Sequence, residues 1–170
     1  MKYIRLLSFV LISSGLLFPA CEGDPSTSAQ ENTPVEEAAP AIPERVELKL
    51  SGDDAMKFNK TRLEAFEGQT VTLTLTHSGN MAKAAMGHNW VLLTKGTDMT
   101  EFATAAMVAT DTEYIPADMI DAVVAHTSLI GGGETTSVTF TAPPSGLYDF
   151  ICSFPGHYAL MKGTFVSQER

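Results

Sequence analysis

Residues 148–166 read YDFICSFPGHYALMKGTFV, and this stretch decides the fold. Apolar and polar side chains alternate from Tyr148 to Cys152, which is the period of a strand with one face in a core. Residues 162–167 read as the final strand of the chain. The segment between the two strands carries a cysteine, a histidine and a methionine. The stretch therefore predicts two strands joined by a loop that carries candidate functional side chains.

The same period of two recurs through the rest of the domain. Some segments alternate strictly between apolar and polar residues, and others are apolar throughout, as in strands buried on both faces. Turn-forming clusters rich in Gly, Pro, Asn and Asp separate them. The further strand segments are 46–50, 71–75, 89–94, 121–127 and 138–140. Seven or eight strands of this kind predict an all-β, Greek-key β-sandwich.

One segment departs from the strand period. Between residues 98 and 119 the apolar residues recur at helical spacing, which predicts one short inserted helix that ends near Pro116. The expected buried face of that helix consists of Phe102, Ala105, Ala106 and Ala109.

The loop after Cys152 carries metal-binding side chains at regular spacing. His157 follows the cysteine by five residues, and Met161 follows the histidine by four. A thiolate, imidazoles and a weak thioether suit a copper ion that cycles between Cu(I) and Cu(II). A second imidazole must come from elsewhere. His88, at the start of a predicted buried strand, is the best candidate, and Gly87 would let its carbonyl approach the metal.

These motifs resemble the azurins, the bacterial blue-copper proteins of the cupredoxin family. The resemblance rests on MGHNWVL, on VVAHT, LIGGGE and SVTF, and on FICSFPGHYALMKGTF, and it runs from residue 46 to residue 166. It implies a cupredoxin-like sandwich over residues 44–170 with one copper ion. It also implies three equatorial copper ligands and two weak axial ones. The equatorial ligands would be His88, Cys152 and His157, and the axial ones Met161 and the Gly87 carbonyl.

Other residues take supporting roles under the resemblance. It implies that Asn89, Ser153 and Phe154 surround the ligands without binding the metal. Azurins usually carry Thr where this chain has Ser153, which bears on fine tuning only. Two other histidines, His77 and His126, have no sulfur neighbour in the sequence and are interpreted as structural or surface residues.

Two functions remain open at the level of the sequence. The first is a one-electron carrier that docks redox proteins, such as c-type cytochromes or cuproenzymes, at an apolar patch around His157. That patch would include Met81, Phe154, Pro155 and Ala159. The second is a copper buffering or delivery protein. A cysteine-nucleophile enzyme using Cys152 and His157 is disfavoured because no orienting acid or oxyanion motif accompanies them, so the chain is not expected to be an enzyme.

The N-terminal segment indicates export. Residues 1–20 have two bases followed by a short apolar run, which is typical of a secretory signal peptide. Phe18 and Ala20 precede Cys21 as in a bacterial lipobox, although Pro19 departs from the usual residue. Residues 21–43 are rich in Pro and acids and predict an acylated cysteine followed by a disordered tether. The alternative is plain secretion. The expected location is the periplasm or cell envelope.

Charge and cysteine count exclude several classes of protein. Twenty acidic residues against 11 basic ones give a net charge of −9, which argues against nucleic-acid binding because that requires a basic face. Only two cysteines are present, at positions 21 and 152. A disulfide scaffold and a four-cysteine zinc site are therefore excluded.

Overall fold

A computed structural model describes residues 41–170 of the chain. Within them, eight strands form two sheets. The strands are β1 Arg45–Gly52, β2 Arg62–Phe66, β3 Thr70–His77, β4 Val91–Leu93, β5 Val123–His126, β6 Thr135–Thr141, β7 Gly146–Ile151 and β8 Lys162–Gln168. The helices are α1 Lys83–Met86 and α2 Met99–Ala106.

The two sheets differ in size and contain both parallel and antiparallel pairs. The smaller sheet has the order β1-β3-β6, and the larger has the order β2-β8-β7-β4-β5. The β1–β3 and β2–β8 pairs are parallel, and the other pairs are antiparallel. The chain passes repeatedly from one sheet to the other. The predicted all-β, Greek-key β-sandwich with an inserted helix is confirmed.

The main core lies between the sheets. Alternate residues of β3 are fully buried, as are Trp90, Phe150 and Phe165. Because strand side chains alternate in direction, the outward residues of the same strands remain polar, as three hydroxyl pairs between β3 and β6 show. Fully burying each large apolar side chain contributes about 1.5–3 kcal/mol.

A second core lies on the outer face of the larger sheet. Phe102 and Ala106 of α2 are fully buried, and Phe102 packs with Val91, Leu93 and Ile151. Strand β4 is therefore covered on both faces, which is why its sequence reads as continuously apolar rather than alternating. The helix and its neighbouring turns hold β4 in place. This strand begins three residues after His88, a predicted metal ligand.

The helical segment is shorter than its sequence predicts. The α-helix ends at Ala106 rather than near Pro116, and two 3-10 turns follow, at Thr110–Thr112 and Ala117–Ala122. Glu113 and Tyr114 have positive φ angles of 54° and 67°, which no α-helix allows. Ala103 is buried with Phe102 and Ala106, whereas Ala105 and Ala109 are half-buried, because the helix packs on the second core with the face that carries residues 102, 103 and 106.

The sequence pattern did not predict strand β2 or the single-turn helix α1. No helix among residues 41–170 is long and apolar enough to cross a membrane. The predicted signal peptide and most of the predicted tether, including Cys21, lie outside the described residues.

Candidate metal centre

The site lies at one end of the sandwich, where several connections meet. His88 precedes β4, and its backbone pairs with Ile130 through two hydrogen bonds of 2.9 Å. Cys152 follows β7 directly, and its N–H donates to the Met161 carbonyl at 2.9 Å, which closes the loop. His157 begins a 3-10 turn inside that loop. Two sheet-anchored segments therefore fix the three side chains from opposite directions.

The three side chains form a buried cluster. The ligand atoms of His88, Cys152 and His157 all lie within 4.8 Å of one another. The Cys152 sulfur lies 3.6 Å from Nδ1 of His157 and 3.9 Å from the Gly87 carbonyl oxygen. His88 and Cys152 are fully buried, and His157 is 3% exposed. The structure thus brings together the imidazole and thiol donors predicted from the sequence.

The contacts of His88 show that a cation fits this cluster. Its Nε2 lies 2.9 Å from the Asp53 carbonyl oxygen, and its Nδ1 lies 3.0 Å from the Gly87 carbonyl oxygen. Both oxygens only accept, and a neutral imidazole carries one N–H, so one ring nitrogen faces an oxygen with its lone pair. With the N–H on Nε2, the pair without a hydrogen is Nδ1 and the Gly87 oxygen, which a positive ion satisfies. An imidazole whose outer nitrogen binds a backbone carbonyl is also the usual form of a metal ligand.

The two predicted axial groups lie beside the cluster. Gly87 is buried, and a Cβ there would lie 2.7 Å from the Lys83 carbonyl oxygen and 3.0 Å from Leu129 Cδ2, so only glycine fits. Met161 is fully buried. A Cβ added to Gly52 would meet both Met161 Cε and His88 Cδ2 at 2.8 Å, so these two side chains converge on the end of β1.

The donor set and the fold match a known family. Residues 44–168 match the family model described as copper binding proteins, plastocyanin/azurin family. The chain belongs to this family.

Two azurins and a solved "blue" copper protein are similar to this chain. Azurin-1 of Alcaligenes xylosoxydans xylosoxydans is 46% identical over 122 residues, covering 68% of this chain and 92% of the azurin. The azurin of Pseudomonas fluorescens biotype C is 46% identical over 125 residues, covering 69% and 96%. Auracyanin A, a "blue" copper protein of Chloroflexus aurantiacus, superposes with a TM-score of 0.66 at 36% identity, covering 72% of this chain and 98% of its own. The predicted family and its copper cofactor are confirmed.

Burial shifts the pKa values of the three side chains in the cluster. Burial raises the pKa of the Cys152 thiol to about 12, and hydrogen bonds from the backbone of Asn89 and Phe154 act in the opposite direction. Burial also lowers the pKa of His157 to about 4 and lowers that of His88. At neutral pH the imidazoles are therefore ready to bind a metal, whereas the Cys152 thiol must lose its proton to solvent when a metal binds.

Asn89 ties the two halves of the site together. Its Nδ2 donates to the Ser153 hydroxyl at 2.8 Å, and its Oδ1 accepts from the Ser153 N–H at 2.9 Å. The residue after His88 is thereby joined to the residue after Cys152. The supporting position expected for Asn89 and Ser153 is the one the structure shows.

The remaining histidines stand outside the cluster. His77 is fully buried, and its ring stacks on that of His88 with centroids 4.1 Å apart and planes 9° from parallel. Its Nε2 donates to the Met86 carbonyl at 2.9 Å, and its Nδ1 accepts from the Gly79 N–H at 3.1 Å. Both ring nitrogens of His77 thus have hydrogen-bond partners, and the ring packs flat against the ring of His88. His126 is exposed on β5.

Glu113 is a supporting residue that the sequence did not reveal. Its Oε2 accepts from the Leu129 N–H at 2.9 Å, and its Oε1 lies 3.5 Å from Lys83 Nζ. Its carbonyl oxygen accepts from Asn89 Nδ2 at 3.3 Å. Leu129 and Lys83 are the two residues that confine Gly87. No local motif marks Glu113; the one signal is its position in an acidic segment that breaks the strand pattern.

Proposed function

We propose that this chain is a one-electron carrier that holds a single blue copper ion. His88, Cys152 and His157 would be the equatorial ligands, with the Gly87 carbonyl and the Met161 thioether as weak axial ones. The observation that carries the proposal is the buried cluster of two imidazoles and one thiol within 4.8 Å. Its donors converge, and their burial leaves no open position for a substrate. An enzymatic role is therefore not proposed.

The chain's own contacts keep the donors from moving. His88 is held by the Asp53 carbonyl and by the stacked ring of His77, and the Cys152 loop is closed through Met161 and Asn89. Copper supplies the one-electron change between Cu(I) and Cu(II). Donors that are fixed in this way lower the structural cost of changing charge, which favours electron transfer over metal release.

The proposed exit for the electron is the His157 side of the site. His157 is 3% exposed, and its neighbours Ala159 and Leu160 lie on the surface, Leu160 with 58% of its area exposed. Pro155 is half-buried and Phe154 is buried, so Phe154 supports this apolar patch rather than forming its surface. A small apolar patch suits transient docking of redox proteins such as c-type cytochromes or cuproenzymes.

The first test addresses the thiolate. Cys152→Ser should abolish the intense blue absorption that Cu(II) gives with a thiolate, while circular dichroism and unfolding remain those of a folded sandwich. Ser153→Ala, the adjacent change, should keep the blue colour. Persistence of the blue band in Cys152→Ser would contradict the assignment of Cys152 as the sulfur ligand.

The second test addresses docking. Ala159→Lys should keep fold and colour but slow both self-exchange and transfer to a redox partner, because an ammonium buried at the contact loses its hydration. Leu147→Lys is the matched control. Leu147 is 63% exposed and lies five residues before Cys152, about 17 Å along β7. At about 0.15 M salt its field is screened within roughly 8 Å. Unchanged rates in Ala159→Lys, together with rapid exchange of copper, would favour a buffering or delivery protein instead.

The proposed location is the periplasm or cell envelope, with the chain anchored through an acylated Cys21. The support is the sequence of residues 1–43, which combines a signal-peptide pattern, a cysteine and a Pro-rich acidic segment. A carrier held in this way would exchange electrons with partners at the membrane surface.

A further inference from the structure

The segment from residue 98 to residue 121, here called the inserted lobe, holds all of the domain's net charge. It contains six acidic residues and no basic one. The remaining residues of the domain, 44–97 and 122–170, contain nine acidic and nine basic residues. The domain is thus electrically polarised, with a neutral sandwich and a lobe of charge −6.

Five of the six acids of the lobe have no cationic partner within residues 41–170. Among the described residues, Glu113 is the only lobe carboxylate paired with a cation, Lys83 at 3.5 Å. Asp98 caps α2. The side chains of Asp111 and Asp118 are exposed and without such partners within residues 41–170. Their charge is available to a partner.

The lobe also exposes apolar surface. Val108 is 83% exposed, and Met107 and Ile120 are each 50% exposed, which makes three of the six exposed large hydrophobic residues of the described chain. Val108, Ala109 and Pro116 line a groove of about 320 Å³ whose rim carries Asp111 and Asp118. Large apolar side chains bordered by charges are typical of an interaction surface.

The lobe packs against residues of the metal centre. Its inner side is packed, since Ile115 is buried with Phe102 in the second core. Tyr114 contacts Phe154 edge to face with ring centroids 5.1 Å apart, and Phe154 lies 4.7 Å from the ring of His157. The Tyr114 end of the lobe therefore lies beside the apolar patch around His157.

We propose that the inserted lobe is a recognition surface for a basic redox protein whose docking face has lysines or arginines around an apolar centre. This inference rests on the electron-carrier function proposed above. Complementary charge would steer the partner and orient it. Its apolar centre would lie on the patch around His157, and the groove around Val108 would take an apolar side chain at the edge of its docking face. A second copy of this chain does not fit, because two lobes of charge −6 repel each other.

The test measures binding separately from electron transfer. The copper-loaded, reduced, isotope-labelled chain is titrated with a small reduced haem protein of net positive charge that has lysines around its haem edge. Amide shifts are expected in residues 105–121 and around His157. In the double variant Asp111→Asn/Asp118→Asn the dissociation constant should rise roughly three- to tenfold at about 10 mM ionic strength, and this difference should vanish near 1 M.

The control removes the same charge elsewhere. Glu47→Gln/Asp149→Asn changes two exposed strand acids outside the lobe and should raise the dissociation constant less than about twofold. Val108→Ser should weaken binding at both salt concentrations, because the apolar contact is not screened. Equal weakening by the two charge pairs, shifts that spare the lobe, or a Val108→Ser variant that binds like wild type would each overturn the proposal. If the proposed carrier function fails instead, electron self-exchange between two copies is absent while the haem protein still binds to the lobe.

Discussion

At the scale of single residues, the position of the Gly87 carbonyl depends on groups that never touch the metal. Gly87 is confined by the Lys83 carbonyl and by Leu129, and the carboxylate of Glu113 contacts both of those residues. The carbonyl of Glu113 also binds Asn89, two residues after Gly87. Glu113 therefore holds the segment around His88 through both its carboxylate and its backbone carbonyl.

Glu113→Ala should raise the reduction potential by roughly 10–50 mV, where 59 mV corresponds to a tenfold change for one electron. The reason is that a looser Gly87 carbonyl stabilises Cu(II) less. Protein-film voltammetry measures the potential, and Glu113→Gln, which keeps an acceptor for the Leu129 N–H, should shift it less.

Glu67→Ala is the matched control for this prediction. Glu67 accepts the Ser145 N–H at 2.8 Å and lies outside the metal centre, at the turn between β2 and β3. Both alanine variants should lose about 0.5–1.5 kcal/mol of stability. Only the Glu113 variant should change the potential; the same potential in both would assign Glu113 a purely structural role.

At the scale of elements, helix α2 is too short to be stable alone. It has eight residues, and isolated helices of this length do not form in water. Two features hold it in place: Asp98 caps its first turn by accepting from the N–H groups of Thr100 and Glu101, and Phe102 is buried in the second core. The helix in turn covers β4, which begins three residues after His88.

Asp98→Ala should destabilise the protein by about 1 kcal/mol, because two N–H groups at the helix start lose their acceptor. Asp98→Asn should retain most of the stability, since asparagine is an equally good cap. The measurement is the midpoint of denaturant unfolding, with hydrogen exchange of residues 99–106 as the local readout. If the asparagine variant lost as much stability as the alanine variant, the charge rather than the cap would be responsible.

At the scale of the whole molecule, strand β1 links the proposed tether to the metal centre. It begins at Arg45 and ends at Gly52, against which Met161 and His88 pack. Seven strand steps of about 3.3 Å separate those ends by roughly 23 Å. The preceding chain thus joins the domain far from the metal centre, so an anchor placed there would leave the His157 patch accessible.

Cys21→Ser should therefore move the protein from the membrane fraction to the soluble fraction without changing its colour or potential. Incorporation of labelled fatty acid into the wild-type chain, and its loss in the variant, is the decisive measurement. Ser26→Ala, five residues further along the proposed tether, is the control and should stay in the membrane fraction. An unmodified, fully soluble wild-type protein would favour plain secretion.

The sequence by itself determined the features that are local in the chain. Strand periodicity needs only the alternation of neighbouring side chains, so most of the eight strands were predictable. The spacing of Cys152, His157 and Met161 lies within one loop, and His88 was found because its surrounding motif is distinctive. Strand β2 was missed because only Leu63 and Ala65 mark its buried face.

Only the tertiary structure decided what depends on contacts between distant segments. The lobe does not continue as one helix to Pro116, because Glu113 and Tyr114 adopt positive φ angles. Their contacts with Leu129 and Phe154 support this backbone. The stacking of His77 on His88 joins residues on different elements, and the bonds of Glu113 reach 16 residues to Leu129 and 30 to Lys83. No sequence period encodes such pairs, because each is set by where the two sheets bring the chain together.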